Sequence, residues 1–312
     1  MKKDFMTKTI VVVLGAMICS LLWGSAFPCI KIGYDMMHIG SGDTATQILY
    51  AGYRFTLAGI LAILIGSVSG RKFLYPRKSA FPKVALLALF QTVLQYLFFY
   101  IGLANTSGTK ASIIEGMNVF MAILISGLLF RLEKVDGQKI IGCLVGFAGV
   151  VFVNLNGGQL DLALHLTGEG FIFFSTISYA FSTVLLKRYS KEENTVMLSG
   201  WQFALGGLFM ILTGFLLGGK LERFTVGSAG MLIYLALVSA IAYSLWSLLL
   251  TYNPVSKVAV FGFMNPMFGF VLSAVLLQES NALSLRAFVS LGLVCAGIYI
   301  VNKEKKHVVV CE

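Results

Sequence analysis

Long apolar stretches recur along the whole chain and restrict its fold more than any other feature. Ten hydrophobic runs lie at residues 9–34, 46–69, 80–104, 110–131, 138–154, 168–189, 194–217, 228–251, 257–277 and 284–302. A membrane-spanning helix needs about 20 apolar residues, whereas a strand of an outer-membrane barrel shows about 10 residues of strict alternation. The runs lack that alternation, so we expect an all-α integral membrane protein with ten transmembrane helices.

Composition supports a membrane protein and argues against a nucleic-acid-binding one. Hydrophobic residues make up 57% of the chain and charged residues 12%, whereas soluble domains carry about 25% charged residues. The net charge is +10, but the basic residues are scattered through the short connections and form no contiguous basic face. We therefore expect membrane lipids and a small-molecule substrate as partners, and no nucleic acid.

The distribution of basic residues predicts the topology. If both termini are cytoplasmic, 18 of the 24 Lys and Arg residues lie in cytoplasmic segments, five lie on the outer side, and Arg54 lies within a span. This asymmetry follows the positive-inside rule and requires an even number of spans. The sequence therefore predicts a multi-pass protein of the cytoplasmic membrane, with a cytoplasmic tail at 303–312.

The two halves of the chain resemble each other. Residues 110–128 (KASIIEGMNVFMAILISGL) align without a gap with 257–275 (KVAVFGFMNPMFGFVLSAV), which pairs Lys110 with Lys257 and Asn118 with Asn265. We therefore predict two five-helix repeats, 9–154 and 168–302. Because five is odd, the second repeat is inverted, and in carriers inverted repeats enclose a central site that opens to each side in turn. A symmetric scaffold that arose by duplication, without transport, is the alternative.

Several segments also resemble a known family. They are WGSAFPCIKIG at 23–33, YRFTLAGIL at 53–61, LANTSGTKAS at 103–112, LEKVDGQKIIGCLVGFAGVVFVN at 132–154 and QESNALSLRAFVSLGLVCAGIYIVN at 278–302. Together they resemble the EamA-type family of the drug/metabolite transporter superfamily, over roughly residues 10–302. The resemblance implies a ten-helix inverted-repeat carrier that often exports amino acids or other metabolites. It also implies that helices one to four and six to nine surround a central cavity, with helices five and ten peripheral.

Two ionisable residues interrupt the predicted spans. Arg54 lies in the second span and Glu115 in the fourth, at similar depth in the outer half of the membrane. An ionisable side chain at mid-membrane costs about 2.5–3.5 kcal/mol on insertion scales, so each needs a structural or functional reason. Three interpretations stay open: a structural ion pair between them, a substrate anchor at Arg54, and a proton-linked carboxylate at Glu115.

Other polar and aromatic residues lie at helical spacing on the predicted spans. With Arg54 and Glu115, the predicted substrate-binding residues are Trp23, Gln95, Asn118, Tyr179, Gln202, Tyr243 and Asn265. Hydrogen bonding between neighbouring helices is the alternative role for each of them. Asn265 precedes Pro266, which predicts a kink or break in that helix. We expect Tyr34, Tyr75 and Tyr252 to lie in interfacial aromatic belts.

No enzymatic motif is convincing. The segment GFLLGGK at 214–220 approaches a phosphate-binding loop, but Leu221 replaces the hydroxyl residue and no strand precedes it. His38, His165 and His307 are scattered, so we predict no catalytic residue, no metal and no cofactor.

The function predicted is secondary active transport of a small metabolite by alternating access, with an amino acid or related solute exported and a coupling ion as a further partner. An uptake permease or a lipid flippase is the alternative within transport. A membrane-embedded enzyme or a receptor is the alternative from another class. The oligomeric state is left open.

Overall fold

Regular structure in the described part of the chain is entirely helical. The computed structural model describes residues 2–40, 42–105, 114–154, 165–222, 224–276 and 285–303. After a short N-terminal helix (Lys2–Thr7), the long helical segments in these residues are α1 (Thr9–Met36), α2 (Thr44–Ser69), α3 (Lys78–Gly102), α4 (Ile114–Leu129), α5 (Gly137–Asn154), α6 (Leu166–Tyr189), α7 (Thr195–Leu216), α8 (Val226–Tyr252), α9 (255–276) and α10 (Leu285–Asn302). Each predicted hydrophobic run overlaps one of these segments. Lys110 and the tail beyond residue 303 lie outside the described residues.

The helices are those of a multi-pass membrane protein. Among the described residues, α1, α2, α3, α6, α7 and α8 are long and apolar enough to cross a membrane. Shorter apolar helices cover Ile114–Leu129, Gly137–Phe152 and Phe288–Asn302. Large apolar side chains stay exposed on these helices, including Val68 and Leu216, each at 78% exposure. Water would disfavour such a surface, whereas lipid covers it at no cost.

Pro266 distorts its helix and Pro28 does not interrupt its own. In α9, two α-helical pieces (Val255–Ala259 and Met264–Leu276) are joined by a 3-10 turn at Val260–Phe263. The turn precedes Pro266 because the proline has no N–H to donate and its ring crowds the preceding turn. This is the irregularity predicted at Asn265. By contrast, α1 runs through Pro28 without a break.

The antiparallel pair α2 and α7 packs most closely because glycines on both helices remove side-chain bulk. A Cβ placed on Gly59 would collide with the backbone of Ala204 and Gly200, and one on Gly207 would collide with the backbone of Thr56. Further along the pair, Gly214 packs against Leu49. The backbones therefore approach over most of the length of both helices, as small residues allow in membranes.

A second antiparallel pair is formed by α5 and α10. Gly142 lies against Gly297 and Val301, and the amide of Gln138 donates to the carbonyl oxygens of Ile300 and Lys303 at 2.7 and 2.6 Å. The start of α5 therefore meets the end of α10, and the start of α10 lies at the other end of the bundle.

The remaining helix contacts surround a common interior. Helix α1 packs on α8 and α9, and α6 packs on α3 and α4. Helix α8 also packs on α2, and α7 packs on α3. Side chains from α1, α2, α3, α7 and α8 consequently meet between these helices.

At the end of the bundle near Met6, the Glu133 carboxylate joins two distant segments. It accepts from the hydroxyl of Ser126 at 3.0 Å, from Lys139 Nζ at 2.8 Å, and from both the backbone N–H and the hydroxyl of Ser256. Asn253 donates to the carbonyl oxygen of Met6 at 3.0 Å at the same end. These bonds tie the segment after α4 to the beginning of α9 and the end of α8 to the N-terminal helix.

Candidate functional site

Four aromatic side chains from four helices form a closed ring in the interior. The ring centroids of Phe55 (α2) and Tyr96 (α3) are 4.4 Å apart, and those of Phe55 and Phe203 (α7) are 5.2 Å apart. Phe203 packs edge-on against Tyr243 (α8) at 4.7 Å, and the hydroxyls of Tyr243 and Tyr96 are 3.4 Å apart. We call these four residues the aromatic ring. It gathers one side chain from each of α2, α3, α7 and α8.

Trp23 extends the aromatic ring toward α1. Its indole lies 4.9 Å from the Tyr243 ring and 5.0 Å from the Trp246 ring, and the residue is 9% exposed. Ser239, Tyr243 and Trp246 share one face of α8, since residues three or four apart lie on the same side of a helix. The structure thus brings together the predicted site residues Trp23 and Tyr243.

Arg54 is buried beside the aromatic ring. Its side chain is 5% exposed, and its guanidinium carbon lies 5.1 Å from the centroid of the Phe55 ring. Nε and Nη2 both donate to the Ser239 hydroxyl, at 3.2 and 3.0 Å. No ion pair joins Arg54 to Glu115 within the described residues. The ion-pair interpretation of these two residues is therefore wrong, and a neutral hydroxyl on α8 takes the place of the carboxylate.

Tyr50 and Tyr34 lie on the side of Arg54 that faces α1. Tyr50 precedes Arg54 by one helical turn, is 1% exposed, and places its hydroxyl against Gly33, where a Cβ would collide with it. The Tyr50 hydroxyl is buried without a hydrogen-bond partner. The Tyr34 ring packs edge-on against Tyr50 at 5.4 Å. The end of α1 therefore turns the Tyr34 side chain toward α2.

Glu115, the second ionisable residue predicted within a span, is in the electrostatic surroundings of Tyr243. It occupies the short helical turn at 114–116 and is half-buried, with no hydrogen bond or ion pair to any described residue. Tyr179 of α6 and Tyr243 both lie within electrostatic range of the Glu115 carboxylate. Tyr243 is also within range of Arg54. Tyr243 is thus the residue shared by the surroundings of the two ionisable groups.

Of the two predicted glutamines, Gln202 makes a hydrogen bond to a neighbouring helix through its oxygen, and Gln95 has a buried oxygen without a partner. Thr92 donates to Gln202 Oε1 at 2.7 Å, which links α3 to α7, whereas Gln202 Nε2 has no partner. Gln95 Oε1 is also buried without a partner. A π-helical segment at Ala88–Leu94 precedes Gln95. The wider turn shifts Gln95 from the register that a regular helix would give it.

The two aligned asparagines lie on α4 and α9. Asn118 Oδ1 would be 3.7 Å from a Cβ at Gly262, so the Asn118 side chain packs against α9. Asn265 Oδ1 is buried and has no hydrogen-bond partner. No hydrogen bond in the described residues joins either asparagine to the aromatic ring.

Buried polar groups without partners concentrate in this region. Besides those named above, the indole N–H groups of Trp23 and Trp246 are buried and unpaired. Buried polar groups in proteins are nearly always hydrogen-bonded, and exceptions often mark functional positions. No group of three or more His, Cys, Asp or Glu side chains in the described ranges could hold a metal ion.

Sequence analysis missed Ser239, Phe55, Phe203 and Tyr96. A single Ser, Phe or Tyr is ordinary in a membrane helix, so nothing in the local sequence distinguishes these residues. The signal that could have found Ser239 is its spacing of four residues from Tyr243, which places both on one helix face.

Comparison with known proteins identifies the kind of protein that has this fold. The model of the EamA-like transporter family matches residues 10–155 and 166–303. The chain is 26% identical over 291 residues to the uncharacterized transporter YvbV of Bacillus subtilis, a match that covers 92% of this chain and 90% of that protein. It is 25% identical over 289 residues to a WAT1-related chloroplast protein of Arabidopsis thaliana, covering 90% of this chain and 66% of that protein. A solved crystal structure is similar with a TM-score of 0.75 over 93% of this chain and 95% of that one. At 15% sequence identity, this likeness shows the fold alone.

Proposed function

Because the chain belongs to the EamA-like transporter family, we propose that it is a secondary active transporter that moves a small metabolite by alternating access. The direction proposed is export, and amino acids and related solutes are the first candidates as substrates. The names of the family and of the relatives indicate transporters rather than enzymes. An uptake permease or a lipid flippase would share the same fold.

The observation that carries the proposal is the symmetry of the helix contacts. The contact of α1 with α8 has a counterpart in that of α6 with α3, and the contact of α2 with α8 has one in that of α7 with α3. Helices α2 and α7 pair with each other, as do α5 and α10. Exchanging the first five helices with the last five therefore leaves this pattern unchanged. This supports two inverted five-helix repeats and ten spans, with the repeats at 9–154 and 168–302.

The position of the aromatic ring supports a central substrate site. Trp23, Arg54 and Tyr243 lie near the middles of α1, α2 and α8, so they lie near the centre of a membrane that these helices cross. Carriers with inverted repeats bind their substrates near the midplane, between the repeats. The residues gathered there come from both halves, and none comes from α5 or α10. We accordingly propose that α5 and α10 are peripheral and that both termini are cytoplasmic.

Glu115 is the proposed proton-coupling residue. Its half-buried carboxylate has no described partner, so its charge can change without breaking a structural ion pair. Intramembrane carboxylates in transporters commonly serve as proton relays. Tyr243, which interacts electrostatically with both Glu115 and Arg54, would connect proton binding to the centre of the site.

Solute flux in proteoliposomes tests this function. Purified protein is reconstituted, and the flux of a metabolite panel is measured with and without an imposed pH gradient. We expect at least one solute to be carried faster than in empty vesicles and to respond to the gradient. In Glu115→Gln the gradient should no longer accelerate flux, whereas Glu222→Gln, which alters an exposed carboxylate, should behave as the wild type.

Two results would contradict the proposal in different ways. Absence of flux for every solute, from protein shown to be folded in the vesicles, would reject the transport function. A gradient response that survives in Glu115→Gln would reject the proton role of this residue alone.

A further inference from the structure

Arg54 is a buried positive charge with no counter-charge in the described residues. It is 5% exposed, and its only described hydrogen-bond acceptor is the neutral hydroxyl of Ser239. No described carboxylate lies within ion-pair distance of it. A buried guanidinium without a counter-charge is costly, so this position favours the binding of an anion.

The groups around Arg54 offer donors in excess of acceptors. A guanidinium has five N–H groups, and only two of those on Arg54 are directed at Ser239. The Tyr50 hydroxyl, one turn away, is buried and unpaired. Such a surface is complementary to a ligand that only accepts hydrogen bonds.

We propose that Arg54, Ser239 and Tyr50 bind a carboxylate group of the transported solute, and that the aromatic ring with Trp23 holds its apolar body. This inference rests on the proposed transport function and names the substrate class of that site. The planar fork of a guanidinium matches the two oxygens of a carboxylate and can bind both. One guanidinium balances a single negative charge, which favours a monoanionic head group over a phosphate dianion.

The spacing on α8 indicates the size of the body. Tyr243 lies one turn from Ser239, and Trp246 lies seven residues from it, about 10 Å along the helix axis. Trp23 contacts both of these aromatic side chains. A solute with its carboxylate at Arg54 would reach Trp23 and Trp246 with a chain or ring about 6–10 Å long.

The head group can be tested on the purified wild-type protein. Thermal unfolding is followed in detergent with four compounds that share a phenylpropyl body: 3-phenylpropionate, phenylalanine, 3-phenylpropan-1-ol and 3-phenylpropylamine. A ligand that binds the folded state raises the melting temperature with concentration. We expect stabilisation by the carboxylates and none by the alcohol or the amine. Comparison of 3-phenylpropionate with phenylalanine then shows whether the carboxylate comes from a simple organic acid or from an amino acid.

Variants test the residues. Arg54→Lys and Ser239→Ala should each weaken carboxylate binding about tenfold or more, because a charge-assisted hydrogen bond or its positioning is lost. The matched control is Ser290→Ala, which removes an equally buried hydroxyl on α10 and should leave binding unchanged. Arg54→Gln should abolish the preference for carboxylates. If Arg54→Gln does not fold, the four-compound series on the wild type and the Ser239→Ala variant still test whether the site binds a carboxylate.

The outcomes separate this inference from the transport proposal. The anion site would be overturned if the amine stabilised the protein as much as the carboxylates do. It would also be overturned if neither carboxylate stabilised the protein. An equal loss of binding in Ser239→Ala and Ser290→Ala would have the same consequence. Flux of a neutral or cationic solute that Arg54→Gln leaves unchanged would preserve transport and remove the anion site. Carboxylate binding without flux of any solute would preserve the anion site and remove transport.

Discussion

Thr92 and Gln202 show how a polar residue of a candidate site can also have a structural partner. The Thr92 hydroxyl donates to Gln202 Oε1 at 2.7 Å, and both residues are fully or almost fully buried. This bond fixes α3 against α7 beside the aromatic ring. Gln202 was predicted from the sequence as a binding residue. The structure gives one end of its amide a structural partner and leaves Nε2 unpaired.

Replacing Thr92 should therefore destabilise the protein. Thr92→Val retains the shape but leaves Gln202 Oε1 buried without a donor, which costs about 1–3 kcal/mol. The measurement is the free energy of unfolding in mixed detergent micelles. In the double variant Thr92→Val/Gln202→Leu the loss should be smaller than the sum of the two single losses, since both ends of the bond are removed. If the loss of unfolding free energy in the double variant equalled the sum of the two single losses, the hydrogen bond would not contribute to stability.

Glu192 provides a pH-dependent contact outside the spans. Lys83 Nζ lies 2.6 Å from its carboxylate, and this hydrogen bond lowers the pKa of the Glu192 carboxyl below its ordinary value of 4.5. Because the folded-state pKa is the lower one, the stabilisation is complete above the unfolded-state pKa. It is lost as pH falls through the folded-state value.

A comparison across pH tests this contact. Glu192→Gln should have a slightly lower melting temperature than the wild type at pH 7, and the difference should shrink progressively as pH falls below the ordinary carboxyl pKa of 4.5. Glu222→Gln, at an exposed carboxylate with no ion pair to a described residue, is the control and should match the wild type throughout. A difference that persists undiminished in acid would exclude the Lys83 contact as its cause.

At the scale of helices, the pair α2 and α7 depends on glycine. The two backbones lie so close at Gly59 and Gly207 that a side chain on either would collide with the opposite backbone. Because α2 carries Arg54 and Phe55 and α7 carries Phe203, this close approach also sets the geometry of the aromatic ring.

Two Gly→Ala substitutions should differ in their effect on stability, because one glycine is closely packed and the other is not. Gly59→Ala should destabilise the protein by about 1–3 kcal/mol, because the methyl group forces α7 away. Gly230→Ala lies in α8 with no atom within 4 Å of the added Cβ, so the gain in helix propensity should make it neutral or stabilising by up to about 1 kcal/mol. The melting temperatures of both variants, compared with that of the wild type, measure these effects. Equal effects would show that close packing at Gly59 is unimportant.

The sequence predicts the helices well and the site only in part. Long apolar runs give the helix positions to within a few residues because lipid requires continuous helices of a defined length. The irregularity of α9 near Pro266 can also be predicted from the sequence, since the missing N–H of a proline acts locally. Arg54 is identifiable from the sequence because a charge in a span is rare, but its partner is not. The contact with Ser239 depends on the rotation of α2 against α8, which no local pattern encodes.

For the whole molecule, the account depends on two halves that cross the membrane in opposite directions. Among the observed contacts, α5 and α10 run antiparallel, and the start of α5 meets the end of α10. If these helices are equivalent members of inverted repeats, their first residues must face opposite sides of the bilayer. A site built at the interface of such halves can then open to either compartment without moving far.

Side-specific cysteine labelling tests this most directly. In a background without the natural cysteines, Gly137→Cys and Leu285→Cys place single thiols at the starts of α5 and α10. Gly137 has no atom within 4 Å of an added Cβ, and Leu285 is 80% exposed, so both changes are tolerable. We expect a membrane-impermeant maleimide to label one position only from outside sealed vesicles of defined orientation and the other only after the interior is opened. Labelling of both positions from the same side would contradict the inverted arrangement on which the account depends.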